Sequence, residues 1–529
     1  MRSNVLKAGL LAGWLWLPSL VVLTTDQLAS TRDAIGLLGF SLFLLLCPLV
    51  LLPRPRHYFL ALTPFALLAG PFAYLTLAYH SVPGDALISA TWNTEWAQTR
   101  QVLASFGWLV WLVPLSVLAY VLLALSIDRT WKLGAEARKR LFAGLLMAAM
   151  LAMVTRVTMS QQLRLPPFFE HATANLAFPS GLAMSLTRMY HQQNKTASFA
   201  SVHGRSAAQS QPVLVVFALG ESLRYDHLQL NGYKRPTTPN LAALGPDLLS
   251  FSDVASTANW TNAAVPNIVA RHIGKQEATL VKTFREAGFQ TAWISNQERS
   301  PYARDANVVE QGHDAQDFHL RTDANLLPMF SSFVRQAGPR QFVLLHMIGS
   351  HIPYEERYGA DSRVFTPTLS DLGINAPQPV DREATVNSYD NTVIEADKFL
   401  SRVIATLSQE TRPAILLFTS DHGENLFDDK RGLFMHTQHP ATRFDTHVPM
   451  LVWMNAAYRE SHPQIAAALQ ANRDRKITHT QIFPSLLEIA DIDWDGRDSR
   501  ESFASPSFTE GPRKVLVDLQ TTADYETLK

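Results

Sequence analysis

The chain has 529 residues, 46 basic and 46 acidic side chains, and a formal net charge of zero. That balance excludes the overall basic signature of a nucleic-acid-binding protein. Hydrophobic residues make up 47% of the chain, nearly all the long apolar runs lie before residue 160, and a single cysteine, Cys47, excludes an intramolecular disulfide.

Five apolar stretches reach the roughly 20 residues per helix that a bilayer core requires. They lie at about 5–25, 34–52, 57–79, 105–127 and 141–158. The first follows Arg2 and Lys7 like a signal peptide. It lacks a small-residue cleavage site and four more spans follow, so it reads as a retained helix. Pro18, Pro48, Pro64 and Pro71 fall within or beside spans, which bundled membrane helices tolerate. Arg2, Lys7, Arg54, Arg56, Arg129, Lys132, Arg138, Lys139 and Arg140 flank the spans on one side, against Arg32 and Arg100 on the other. The first side is cytoplasmic by the positive-inside rule, and an odd number of spans puts everything after about 158 outside. Trp14, Trp16, Trp92, Trp96, Trp108, Trp111 and Trp131 read as lipid anchors. The outer loop at 81–104 is expected either to present Asn93, Thr94 and Glu95 to a lipid headgroup or to form an interfacial helix without chemistry.

Residues 159–212 form a connector marked by Pro166, Pro167 and Pro179. Its apolar side chains Leu176, Phe178, Leu182, Met184 and Leu186 are expected on the bilayer surface. From 213 to 529 the pattern is that of an α/β domain. The continuous apolar run at 213–219 predicts a buried central strand, and further strand candidates lie at 291–295, 341–347, 414–419 and 448–453. Helical patterns at 277–287, 326–336 and 389–407 alternate with them. The order predicts a doubly wound fold with a mostly parallel central sheet, whose ligand site lies at the carboxyl ends of the strands.

Three of those ends carry metal-binding side chains. Glu221 follows the first strand, Ser350 and His351 follow the strand containing His346, and Asp421-His422 follow 414–418. Converging buried carboxylates are costly unless paired or bound to a cation. Two carboxylates with an imidazole suit Zn2+, and Mn2+ less well. The loop Ser256-Thr257-Ala258-Asn259-Trp260-Thr261 leads into a predicted helix. A hydroxyl at a helix start beside a cation can attack phosphorus. Spacing alone does not choose among Ser256, Thr257 and Thr261.

The ordered set of motifs resembles the membrane-bound phosphoethanolamine transferases of Gram-negative bacteria, in the alkaline phosphatase superfamily. It comprises Gly220-Glu221-Ser222-Leu223-Arg224, Asn231-Gly232-Tyr233, Thr237-Thr238-Pro239-Asn240-Leu241, Thr261 with Val265-Pro266, Gly349-Ser350-His351, Tyr389-Asp390-Asn391 and Ser420-Asp421-His422-Gly423-Glu424. Five spans ahead of the outer domain match as well. The resemblance implies an alkaline phosphatase/sulfatase-like domain in the periplasm of a multi-pass inner-membrane protein. It implies zinc on Glu221, Thr261, Asp421 and His422, with Thr261 as nucleophile. His351 and His436 then hold or protonate the phosphoethanolamine group or bind a second zinc, and Asn296 joins them in binding substrate. His439 competes with His436 for its role, although hydrogen bonding within the fold is expected for His439 and His447. The donor is phosphatidylethanolamine and the acceptor lipopolysaccharide.

One departure concerns the disulfide that flanks the nucleophile in many lipid A-modifying members. Thr257 and Asn267 stand there, so packing and metal must hold the loop. This, with Trp293-Ile294-Ser295-Asn296-Gln297, resembles the branch that modifies core heptose. The alternatives are a phosphoglycerol transferase or sulfatase-like hydrolase of the same superfamily, and a non-catalytic membrane scaffold. No Cys/Ser-x-Pro-x-Arg sulfatase context is present, and residues 500–529 carry no motif.

Overall fold

A computed structural model describes residues 2–24, 31–79, 88, 110–160, 176–193, 199–206, 211–273, 276–297, 299–312, 322–336, 338–437, 441–516 and 522–529. The loop at 81–104, apart from Ile88, lies outside these residues, as do Pro166, Pro167 and His439. The chain divides into two compact units, the first built on Met1–Lys195 and the second on Thr196–His436, Ala441–Val517 and Thr522–Lys529.

The first unit is helical. Its helices are α1 (Arg2–Val21), α2 (Thr31–Leu46), α3 (Pro55–Ala61), α4 (Thr63–Tyr79), α5 (Leu112–Leu125), α6 (Ala135–Ser160) and α7 (Ser180–Gln193). Among the described residues, Arg2–Thr24 and Ala34–Leu51 are long and apolar enough to cross a membrane. Over the predicted third span, α3 and α4 meet at a bend of 60° rather than forming one straight helix. Pro64, in the first turn of α4, has no N–H with which to continue the helix. α5 is shorter than the predicted fourth span, whose first residues, 105–109, lie outside the described set. α6 runs through the predicted fifth.

Polar side chains join these helices. Trp14 Nε1 donates to the Ala66 carbonyl (3.2 Å), Trp16 Nε1 to Ser41 Oγ (2.7 Å), and the Tyr120 hydroxyl to the Phe59 carbonyl (2.9 Å). The two tryptophans expected as lipid anchors thus tie helix to helix. Leu176, Phe178 and Leu182, expected on the bilayer surface, are buried instead. Phe178 packs edge-on against Phe65 at 6.4 Å and lies 6.0 Å from Phe72, giving the segment a stable place inside the helical unit.

The second unit is built on a seven-stranded sheet. Its elements are β1 (Val213–Gly220), β2 (Leu248–Phe251), α8 (Thr261–Val269), α9 (Leu280–Glu286), β3 (Gln290–Ser295), β4 (Val308–Gln311), α10 (Leu327–Val334), β5 (Arg340–His346), α11 (Arg382–Leu407), β6 (Ala414–Ser420) and β7 (Met450–Met454). Strand order is β2-β7-β6-β1-β5-β3-β4. The sheet is mixed: β6, β1, β5, β3 and β4 pair in parallel, whereas β7 pairs antiparallel with both β6 and β2.

Every residue of β1 and β6 is buried, as their unbroken apolar runs require in strands covered on both faces. Register fixes the site. Gly220 pairs with Ser420, and Leu219 with His346. Glu221 and Asp421 therefore leave neighbouring strands side by side, next to the end of β5. The helix expected at 277–287 begins later, at Leu280. Gln276–Thr279 instead pairs antiparallel with Ala270–Ile273.

Candidate metal and nucleophile site

The carboxyl ends of β1 and β6 turn away from the sheet in a mutually braced way. The Asp421 N–H donates to the Gly220 carbonyl (3.1 Å), and the Leu223 N–H to Ser420 Oγ (2.8 Å). Asp421 Oδ1 accepts the backbone N–H groups of Ser222 (3.2 Å) and His422 (2.7 Å). Tyr389 on α11 closes the corner, its hydroxyl donating to the Ser222 carbonyl (2.7 Å) and accepting the Arg224 N–H (2.9 Å). Gly349 has φ +47°, and a Cβ there would lie 2.6 Å from the Glu221 carbonyl oxygen, so only glycine lets this loop approach.

Glu221, Asp421 and His422 are almost fully buried, and one ligand atom from each lies within 4.8 Å of the others. His422 Nε2 is 3.3 Å from Glu221 Oε1 and 3.5 Å from Asp421 Oδ2. Thr261, the first residue of α8, reaches the same point. Its hydroxyl lies 3.1 Å from Glu221 Oε2, 3.3 Å from Oε1 and 3.2 Å from His422 Nε2. Its rivals face elsewhere. Ser256 Oγ lies within hydrogen-bond distance of the carbonyls of Ala258 (2.6 Å) and Asp421 (2.5 Å), and Thr257 Oγ1 is buried with no hydrogen-bond partner among the described residues.

The electrostatics are those of a cation site. Burial and then the Glu221 charge push the Asp421 carboxyl up. Burial alone raises Glu221 as well, but the hydrogen bond and charge of His422, with His351 and His436, hold it below the usual range. Burial lowers His422, and the Asp421 and Glu221 charges outweigh it. Two adjacent carboxyls without a cation thus compete for one proton. Asp421 Oδ2 is buried and, among the described residues, has no hydrogen-bond donor. An orphaned carboxylate oxygen beside a second carboxylate and an imidazole nitrogen fits a divalent ion of the zinc type.

His351 and His436 lie around this cluster. The His436 ring is 4.3 Å from that of His422, and its Nδ1 lies 3.3 Å from Glu424 Oε1. Burial and the His422 charge bring His436 down to about 3, and burial also lowers His351, whose Nδ1 is 2.6 Å from the Ile352 carbonyl. Asn296 is not brought to the cluster: its amide donates to the Thr322 carbonyl and Asp323 Oδ1, both at 3.1 Å. The next residue, Gln297, does reach it, donating from Nε2 to Glu221 Oε2 (3.0 Å) and to the Met347 carbonyl (3.1 Å). His447 Nε2 lies 3.1 Å from the Ser252 carbonyl and the ring stacks on Tyr225, a role within the fold.

The loop that leads into Thr261 is held without a disulfide. Asn259 Nδ2 donates to Asp445 Oδ2 (2.8 Å), and the Ser256 N–H to the Thr446 carbonyl (2.8 Å). From outside, the Leu516 N–H donates to the Thr257 carbonyl (2.7 Å). Leu516 ends β8 (Lys514–Leu516), which pairs antiparallel with β9 (Thr522–Asp524). Buried Tyr525 anchors that hairpin, with the Arg443 and Arg513 guanidinium groups each 4.3 Å from its ring centre. The segment beyond 500, without a motif in sequence, thus fastens the loop. The legible hints to the missed side chains were Gln297 and Glu424, each within a quoted motif; Asp445 had none.

Comparison with known proteins matches residues 214–492 to the sulfatase family model and residues 39–194 to "Phosphoethanolamine transferase EptA/EptB". The chain is 25% identical to phosphoethanolamine transferase EptC of Escherichia coli O18:K1:H7 over 367 residues, 65% of this chain and 62% of the relative. The match thus spans less than two thirds of that relative's length. The lipooligosaccharide phosphoethanolamine transferase A structure from Neisseria meningitidis superposes with a TM-score of 0.72 at 22% identity, covering 94% of this chain and 97% of that one. The periplasmic domain of Escherichia coli EptC, in complex with Zn, superposes with a TM-score of 0.55 at 22% identity, covering 63% of this chain and 98% of that domain. These two superpositions establish a shared fold.

Proposed function

The chain belongs to the sulfatase family and carries, ahead of that domain, the N-terminal region of the phosphoethanolamine transferases EptA and EptB; from this premise we propose that it transfers phosphoethanolamine from phosphatidylethanolamine to a lipopolysaccharide acceptor. The observation that carries the reading is the Thr261 hydroxyl, within 3.3 Å of both Glu221 and His422 at the start of a helix. A zinc ion held by Glu221, Asp421 and His422 would lower the pKa of the adjacent hydroxyl and offset charge developing on the phosphoryl oxygens, and the zinc complex of the EptC domain supports that choice of metal.

Thr261 Oγ attacks phosphorus at the head of α8, where the helix dipole favours the phosphate charge. The Oγ–P bond forms, the P–O bond to diacylglycerol breaks, and the released glycerol oxygen takes up a proton. In the second half-reaction an acceptor hydroxyl attacks phosphorus, the Oγ–P bond breaks and Thr261 regains its proton. In this reading His351 and His436, beside the cluster, hold or protonate the phosphoethanolamine group, and the proton given up by the incoming hydroxyl is the one that returns to Thr261 Oγ. The acceptor is core heptose in this reading, with lipid A the alternative. In the same reading the chain spans the bacterial inner membrane five times, with the α/β unit in the periplasm.

Transfer of label from phosphatidylethanolamine in mixed vesicles tests the reading. Thr261→Ala is expected to abolish transfer while zinc content and melting temperature stay near wild type. Undiminished transfer removes Thr261 from the role, and transfer only from phosphatidylglycerol overturns the donor assignment. Mass spectrometry of lipopolysaccharide from cells with and without the protein identifies the acceptor.

A further inference from the structure

We propose that Asp445 is a positioning residue for the transfer reaction, setting the register of Thr261 against the Asp421-His422 corner by bonding the loops on both sides at once. The proposal rests on the transferase reading. Residues 444–446 lie between the two loops. On one side the Glu424 N–H donates to the Phe444 carbonyl (3.1 Å) and the Gly423 N–H to the Asp445 carbonyl (2.9 Å). On the other, the Ser256 N–H donates to the Thr446 carbonyl (2.8 Å). A Cβ at Gly423 would run into the Phe444 carbonyl, so the two backbones touch.

The Asp445 side chain repeats this bridge. It is fully buried. Its Oδ2 accepts Asn259 Nδ2 at 2.8 Å from the nucleophile loop and Asn425 Nδ2 at 3.1 Å from the metal-side loop. Its Oδ1 accepts the Thr442 N–H at 2.7 Å. All three partners are donors, so an acceptor-only carboxylate satisfies them together, whereas an asparagine must turn an N–H group towards a donor. Asn259 stands two residues before Thr261, and the intervening Trp260 is 1% exposed, leaving no slack chain to absorb a shift. A displacement of about 1 Å in a reacting group is enough to cost on the order of a hundredfold in rate.

The test uses the full-length protein in detergent with phosphatidylethanolamine as donor. Asp445→Asn and Asn259→Ala are each expected to lower kcat about 10- to 100-fold, with donor KM and zinc content close to wild type. The double variant is expected to be no slower than the slower single one, as for two members of one bond. Hydrogen exchange of amides 256–262 is expected to accelerate in both variants while β1 and β6 stay protected. Either folded variant with wild-type kcat, multiplying losses in the double variant, or unchanged exchange at 256–262 overturns the proposal. Should Asp445→Asn fail to fold, Asn259→Ala decides alone. A wild-type protein inactive on phosphatidylethanolamine overturns the transferase reading, whereas the exchange result still decides the positioning claim.

Discussion

Gln297 holds Glu221 from behind, sharing one amide between Glu221 Oε2 and the Met347 carbonyl. A partner that orients a metal-binding carboxylate typically accounts for 10- to 100-fold in metal affinity. Gln297→Ala is therefore expected to weaken zinc binding by about tenfold, measured by competition with a chelator. Asp323 acts on the other side of the same loop, accepting the Ile348 and Gly349 N–H groups at 2.8 and 3.1 Å. Burial pushes its carboxyl from 3.8 up to about 6. Between those values the folded protein keeps a proton that the unfolded chain has lost, so this group's contribution to stability falls as pH rises through that window. Asp323→Asn is expected to flatten that part of the slope, read from urea midpoints measured between pH 4 and 6. Sequence exposed the Asp421-His422 corner because it ends an apolar run. The family resemblance pointed to Asn296 rather than its neighbour Gln297, and neighbouring residues beyond a strand face opposite ways. Spacing alone left Ser256, Thr257 and Thr261 undivided because the choice depends on where Glu221 and His422 arrive from other strands.

At the scale of elements, the parallel register of β1 with β6 and of β1 with β5 brings three strand ends to one place. These strands were legible from sequence because burial on both faces demands unbroken apolar runs. α11 was legible only from 389, whereas it begins at Arg382, since its polar first turns carry no apolar rhythm. Its Tyr389 hydroxyl serves two backbone groups of the turn after Glu221. Tyr389→Phe leaves both buried groups unmet and is expected to cost about 1–3 kcal/mol, seen as a lower denaturation midpoint of the α/β unit. The short pairing of Gln276–Thr279 with Ala270–Ile273 was read as helix, because local pattern does not reveal a hairpin closed by its neighbour.

For the whole molecule, an apolar helical unit and an α/β unit divide the chain, and only the first was readable by length and hydropathy alone. A topology with the α/β unit outside has a direct check in the single cysteine. With Cys47→Ser, a Gln464→Cys substitution at an exposed helix position is expected to react with an impermeant maleimide in cells whose outer membrane is permeabilised. Labelling only after lysis would place that unit in the cytoplasm. The hairpin of β8 and β9 remains the feature least foreseen, being fixed by contacts far apart in the chain. Its bond from Leu516 to Thr257 joins segments far apart in the chain. Any loosening of the β8–β9 pair is thereby handed straight to the backbone four residues before Thr261, so a change remote in sequence is felt at the candidate site.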